Sequence, residues 1–208
     1  MHSSPSTPRR LIVLGSTGSI GTNTLEVGDH LNRSGGEPIE VVGLAGGRNI
    51  GPLIEQAKRF GVCSVAIADR WQAKALCEAL PQAKVFSGPQ AALELVESVE
   101  ATDVAAAVVG AAGLPATLAA ARKGLRISLS NKETLVAAGA LVKPLIDQHG
   151  GCLLPVDSEH SAIFQSLELL RAEERRCATP EVNKAERTSA HRFGLADQFD
   201  LFGQRRNV

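Results

Sequence analysis

LIVLGSTGSIGTNTLEV, residues Leu11 to Val27, places Gly15, Gly18 and Gly21 at intervals of three directly behind a short apolar run. Leu11–Leu14 is branched and apolar, which suits a strand buried on both faces. From Thr22 to Leu31 the pattern is helical, so the glycines occupy a strand-to-helix corner. Glycine there lets the backbone turn sharply and lets another group come close. The amide N–H groups that open the helix favour an anion. Two readings fit the corner: a phosphate cradle, or a tight turn with close strand–helix packing.

The rest of the chain repeats this order. Strands are predicted at Leu11–Leu14, Ile39–Ala45, Ser64–Ala68, Lys84–Phe86, Val104–Val109, Arg126–Leu129 and Cys152–Val156. Helical patterns lie between them, near Thr22–Leu31, Pro52–Phe60, Trp71–Leu80, Gln90–Ser98, Pro115–Arg122 and Lys132–Gln148, with another at Glu159–Arg171. Pro52, Pro81, Pro89 and Pro115 fall at element ends, where proline is tolerated. Such alternation implies right-handed βαβ units, and the expected class is α/β with a Rossmann-like, doubly wound, mostly parallel sheet. From Ala172 the chain becomes polar and arginine-rich without sustained periodicity, and it reads as a tail rather than another βαβ unit.

The 208 residues carry 22 Lys and Arg against 22 Asp and Glu, so charge favours neither nucleic acid nor a membrane surface as partner. Cys63, Cys77, Cys152 and Cys177 have no C-x-x-C spacing, which argues against a zinc site or disulfide scaffold and fits a cytoplasmic protein. Cys152 lies in strand context and reads as buried. The start, MHSSPSTPRR, is polar with no apolar run behind it, against a secretory signal. Val104–Ala121 carries no charge, but Gly110, Gly113 and Pro115 divide it, so a strand, a loop and a helix are expected rather than a membrane span.

A P-loop would need lysine where Ile20 and Gly21 precede Thr22, so that reading fails. A NAD site places an acid at the end of the second strand to hold the ribose 2′-hydroxyl. Here that strand ends in GLAGGRN, giving Arg48 and Asn49 instead. An arginine suits a 2′-phosphate and favours NADP over NAD; the alternative is a solvated loop residue. The chain has no tyrosine, which removes Tyr-x-x-x-Lys hydride-transfer chemistry and leaves a metal, lysine or histidine to polarise a carbonyl.

Two later motifs each allow a structural and a chemical reading. In LSNKETL, Leu129–Leu135, Ser130 and Glu133 fit a capping box, while Asn131 and Lys132 lie at the carboxyl end of a strand, where open α/β sheets bind ligands. In LLPVDSEHSAIFQSL, Leu153–Leu167, the acids after the strand suit an N-cap and the helix dipole. Asp157 and Glu159, two apart in a turn, also aim two carboxylates at one point, as a hard ion such as Mg²⁺ or Mn²⁺ requires. Two carboxylates leave a third ligand or substrate to complete such a site.

LGSTGSIG, AGGRN, VVGAAGLPATLAA, LSNKETLVAAG and LLPVDSEHSAIFQSL, in this order and spacing, closely resemble the 1-deoxy-D-xylulose 5-phosphate reductoisomerase family over Arg10 to Leu170. The resemblance implies an NADPH-dependent, Mn²⁺- or Mg²⁺-dependent enzyme of the non-mevalonate isoprenoid pathway, cytoplasmic and homodimeric. Its substrate would be a sugar phosphate, rearranged and then reduced to 2-C-methyl-D-erythritol 4-phosphate. Carried over by position, Thr17, Gly18, Ser19 and Ile20 would line the cofactor pyrophosphate, with Gly47, Arg48 and Asn49 at its adenosine end. Asn131 and Glu133 would contact the cofactor. Asp157 and Glu159 would be metal ligands, Lys132, Ser158 and Glu159 would meet the substrate, and Lys132 and Glu159 would belong to the catalytic set.

The implied organisation is a tail at 1–9, an NADPH-binding domain at 10–150, the start of a catalytic, metal-binding domain at 151–171 and an atypical tail at 172–208. The family's later glycine-rich stretch, its tryptophan-bearing lid and its third metal carboxylate have no counterpart here; Trp71, the sole tryptophan, lies in the first half. Truncation or a change of reading frame is the expected origin of the tail. Two alternatives stand beside the reductoisomerase: a catalytically incompetent NADPH-binding fragment, and a Rossmann dehydrogenase of the semialdehyde or homoserine type.

Overall fold

Each apolar run identified above forms a strand, and the strands assemble into one seven-stranded sheet. The structure is a computed structural model that describes residues 7–130, 132–156 and 163–168, the side chains of 132–135 excepted. The strands are β1 (Arg9–Leu14), β2 (Ile39–Gly46), β3 (Ser64–Ile67), β4 (Lys84–Ser87), β5 (Asp103–Ala106), β6 (Arg126–Leu129) and β7 (Cys152–Pro155). The helices are α1 (Ser19–Arg33), α2 (Ile50–Phe60), α3 (Ala73–Ala79), α4 (Ala91–Ser98), α5 (Leu114–Arg122) and α6 (Lys132–His149). Residues 163–168 are also helical. The sheet order is β4-β3-β2-β1-β5-β6-β7, and all six pairings are parallel. The expectation of a mostly parallel doubly wound sheet is met, and exceeded.

Alternation along the strands builds two apolar layers. Val13, Leu44, Val65 and Ile67 face Leu25 of α1, Leu53 and Ala57 of α2 and Leu76 of α3. Ile12, Leu14, Val104, Ile127 and Leu129 face Leu95 of α4, a run of alanines in α5, and Val142 and Ile146 of α6. The alanines of α5 let three helices crowd onto one face. The uncharged stretch Val104–Ala121 divides as expected into β5, a 3₁₀ turn at Gly110–Gly113 and α5. No described helix is long and apolar enough to cross a membrane.

Two local expectations are corrected. The predicted helix from Trp71 starts later: Asp69 caps a 3₁₀ turn, Arg70–Gln72, and α3 follows it. The continuous helix from Lys132 is broken at Ala138, whose φ of −139° and ψ of 16° are not helical. Gly139 follows the break and Pro144 lies in the next turns, so this stretch combines weak helix propensity with a missing backbone donor.

Helix α1 borders the face of β5 and β6 that carries Asp103, Ala105 and Ser128. A groove of about 460 Å³ opens there, lined by Arg9, Ile20, Val27, Asp103, Ser128 and Val156 among others. Cys152, expected to be buried, is exposed, at the start of the strand that ends the sheet order.

At the amino ends of the strands, Asp103 is 7% exposed. Its carboxylate accepts from the Arg9 guanidinium, from Arg126 Nε at 2.8 Å and from Thr102 Oγ1 at 2.7 Å. Burial alone would lower the Arg9 pKa, but the hydrogen bonds and charges of Asp103 and Glu37 outweigh it and raise the pKa above its ordinary value. One carboxylate therefore pins β1, β5 and β6. Breaking a buried pair costs about 3–5 kcal/mol, and the partial exposure of both arginines reduces this. Asp103→Ala should destabilise the fold by about 2 kcal/mol. An unchanged urea midpoint would refute that role.

Candidate functional site

The strand order reverses beside β1: the chain proceeds from β1 through β2 and β3 to β4, then returns through α4 to β5 on the other side. Ligands of open α/β sheets bind at such a switch point, outside the carboxyl ends of the strands. The glycine corner lies there, and each glycine has its own reason. Gly15 has φ of 78°, and a Cβ on it would stand 2.6 Å from the Ala107 carbonyl oxygen, where β5 leaves the sheet. Gly21 lets α1 sit on the turn, since a Cβ there would meet the Gly15 carbonyl oxygen at 2.3 Å and Ser16 Cα at 2.5 Å. Gly18 is the N-cap of α1, without a side-chain cap and with no acid in the first turn. The close-packing reading of the corner holds, and the α1 terminus carries no side-chain cap and no acid in its first turn.

The turn is braced from two sides. Gly15 and Ser16 N–H groups both donate to the Ala45 carbonyl at 2.9 Å, and Gln56 Nε2 of α2 donates to the Ser16 carbonyl at 2.9 Å. Sequence reasoning missed Gln56, which is 40 residues away and carries no local signal. Between turn and neighbouring loops lies a crevice of about 230 Å³, lined by Gly15, Gly18, Gly46, Gly47, Ala68 and Gly88 among others. Glycine and alanine make up most of the lining, which leaves room for a ligand backbone to come close.

The predicted cofactor residues divide between this crevice and its surroundings. Gly18 and Gly47 line it. Thr17 stands beside Gly46, its Cγ2 3.6 Å from where a Cβ on that glycine would lie. Ser19 and Ile20 form the first turn of α1, and Ile20 also lines the sheet-face groove. Arg48 and Asn49 follow Gly47 and are exposed. Asn49 also has a structural task, as its Oδ1 accepts from Gly51 N–H at 3.2 Å and caps α2. Arg48 makes no ion pair with any described residue.

The later motifs are only partly described. Lys132 and Glu133 begin α6 as backbone, while Asn131, Asp157, Ser158 and Glu159 lie outside the described residues. Before them, β6 and β7 run in register to Leu129 and Pro155, so Ser130 and Val156 leave the sheet side by side. Ser130 Oγ donates to the Ala106 carbonyl at 3.0 Å, tying the β6 exit to β5. The capping box predicted for Ser130 depends on the Glu133 side chain, which is among those not described. Among the described residues no three His, Cys, Asp or Glu side chains gather to hold a metal.

Residues 11–139 match the family model described as 1-deoxy-D-xylulose 5-phosphate reductoisomerase. The protein of that name from Lawsonia intracellularis is 47% identical over 163 residues, covering 77% of this chain and 40% of its own length. Its counterpart from Agrobacterium fabrum is 49% identical over 162 residues, with the same shares. Among solved structures, the reductoisomerase of Zymomonas mobilis in complex with NADPH superposes with a TM-score of 0.70 at 43% identity, covering 76% of this chain and 41% of that one. A DOX-P reductoisomerase in complex with NADPH, fosmidomycin and magnesium gives a TM-score of 0.68 at 36% identity, covering 76% and 38%. The chain thus spans about 40% of the length of the curated relatives it matches.

Proposed function

We propose, from the premise that this chain belongs to the 1-deoxy-D-xylulose 5-phosphate reductoisomerase family, that it forms the NADPH-binding part of an enzyme of that activity. The whole enzyme would rearrange 1-deoxy-D-xylulose 5-phosphate and reduce the product to 2-C-methyl-D-erythritol 4-phosphate, using Mn²⁺ or Mg²⁺, as a cytoplasmic homodimer. The observation that carries the reading is the glycine-walled crevice at the switch point, with an uncapped helix terminus on one side and Arg48 beyond the other. Bound NADPH supplies the hydride.

The residues divide the work by position. The turn Thr17–Ile20 holds the pyrophosphate with backbone N–H groups, and the open start of α1 adds its dipole. Gly47, Arg48 and Asn49 hold the adenosine end. Asn131 and Glu133 meet the cofactor where β6 ends, and Lys132 meets the substrate. Asp157 and Glu159 supply two metal carboxylates, and Ser158 and Glu159 contact the substrate. The side-by-side exit of β6 and β7 supports that division, because it starts both motifs from one edge of the sheet. Residues 10–150 make the cofactor domain, to which β7 adds a seventh strand, and 151–171 lead into the catalytic domain. The relatives that hold NADPH and magnesium support the choice over a semialdehyde or homoserine dehydrogenase.

The test is cofactor preference. A charge-assisted contact to the 2′-phosphate is worth about 1.5–3 kcal/mol. Arg48→Ala should therefore weaken NADPH binding roughly ten- to a hundred-fold and hardly change NADH binding. Equal losses for both cofactors, measured by calorimetry, would overturn the assignment of Arg48.

A further inference from the structure

We propose that Trp71 is the aromatic platform for the cofactor's adenine, a binding residue supplied by the loop after β3. Trp71 is 87% exposed, although it is the largest apolar side chain in a protein with only 3% aromatic residues. Leaving an indole in water forfeits its burial energy, and a flat partner stacked on it would recover that energy. Its position supports that partner. β2 and β3 pair through Gly46 and Ile67, and the pairing continues beyond both strands. Ala68 N–H donates to the Gly46 carbonyl and Asp69 N–H to the Gly47 carbonyl, each at 3.1 Å. The loop that carries Trp71 is therefore laced to the loop that carries Arg48.

Asp69 then fixes the local geometry. Its Oδ1 accepts from Trp71 N–H at 3.0 Å, and its carbonyl accepts from Gln72 N–H at 3.1 Å. Trp71 is thus held on a short, braced 3₁₀ turn rather than a slack loop, which lowers the ordering cost of a stacking contact. In this proposal a nucleotide whose 2′-phosphate meets Arg48 rests its base on the loop hydrogen-bonded to Gly46 and Gly47. Every purine offers a π-face, and stacking on an aromatic side chain is a sequence-independent way to hold it. Arg48 would read the phosphate and Trp71 the base. This division rests on the cofactor site proposed above, and the experiment separates the two.

Trp71 is the sole tryptophan, so its fluorescence reports this position alone. The 208-residue chain is titrated with adenosine 2′,5′-bisphosphate, which does not absorb Trp71 emission, while calorimetry measures binding independently. Saturable quenching at the calorimetric midpoint is expected. Trp71→Ala should weaken NADPH and NADH alike by about ten-fold, whereas Trp71→Phe should keep most of the affinity. The side chain is too exposed for its loss to unfold the chain, and circular dichroism of Trp71→Ala checks this. Calorimetric binding without quenching, or a Trp71→Ala variant with unchanged affinity, overturns the platform and leaves the cofactor site standing. Absence of calorimetric binding by NADPH and the bisphosphate overturns both.

Discussion

A polypeptide of these 208 residues should bind NADPH yet oxidise none of it when given 1-deoxy-D-xylulose 5-phosphate and Mn²⁺. The proposed reaction needs hydride donor, metal, phosphate anchor and a closing lid assembled together, since a closed site orders the substrate and excludes water. The crevice proposed for the donor lies within the described residues, whereas the proposed metal ligands Asp157 and Glu159 lie outside them. The resemblance places phosphate anchor, lid and third carboxylate in the part of the relatives outside the match, and the match spans about 40% of their length. Losing about 5 kcal/mol of transition-state binding alone lowers a rate by roughly four orders of magnitude. The assay compares substrate-dependent loss of NADPH absorbance with that of Glu159→Gln. Turnover clearly above that variant would mean that the 208 residues complete the site themselves.

Gly21→Ala should remove cofactor binding by distorting the cradle, and its contrast with Gly28→Ala isolates the cause. The added methyl at position 21 meets backbone, the Gly15 carbonyl oxygen at 2.3 Å and Ser16 Cα at 2.5 Å, so α1 must move away from the turn. Overpacking costs about 1–3 kcal/mol, and a rigid backbone neighbour puts this site near about 3 kcal/mol. The moved helix start also displaces the N–H groups proposed for the pyrophosphate, and NADPH affinity should fall by about a hundred-fold or more. Gly28 lies on the same helix, but a Cβ there meets only Ile39 Cγ2 at an ordinary 3.8 Å. Gly28→Ala should stabilise by about 0.5–1 kcal/mol through helix propensity and leave NADPH binding intact. Thermal unfolding and calorimetry on both variants decide it. Equal effects at the two positions would show that helix propensity, not the approach of α1 to the turn, governs the corner.

Much of this architecture is local chemistry and can be read from the chain. Four branched apolar residues, a glycine corner and a helical pattern recur closely enough to give βαβ units, and parallel order follows from crossover geometry. All seven predicted strands are present, with ends shifted by at most a few residues. The glycine spacing marked the tight strand-to-helix corner that glycine-specific packing requires, and the GGRN ending of β2 motivates the NADPH preference proposed for Arg48. The break at Ala138 escaped this reading because the helical pattern of hydrophobic residues continues across it.

Tertiary structure decided what depends on distant partners. Gly15 is required by Ala107, the neighbour of β1's exit only because β5 pairs with β1. Gln56 braces Ser16 across 40 residues, and Asp103 holds Arg9 across 94. Cys152 in β7 has the apolar context of a buried strand, yet strand order puts it at the end of the described sheet, where it is exposed. Trp71 carries no local sign of whether it packs inward; its exposure follows from the Asp69 turn and the lacing of two loops. Periodicity reports which side of an element is apolar, a property of neighbours a few residues apart. Which surface meets that side is set by strand order and by loop closure over tens of residues, and those contacts leave no periodic trace in the chain.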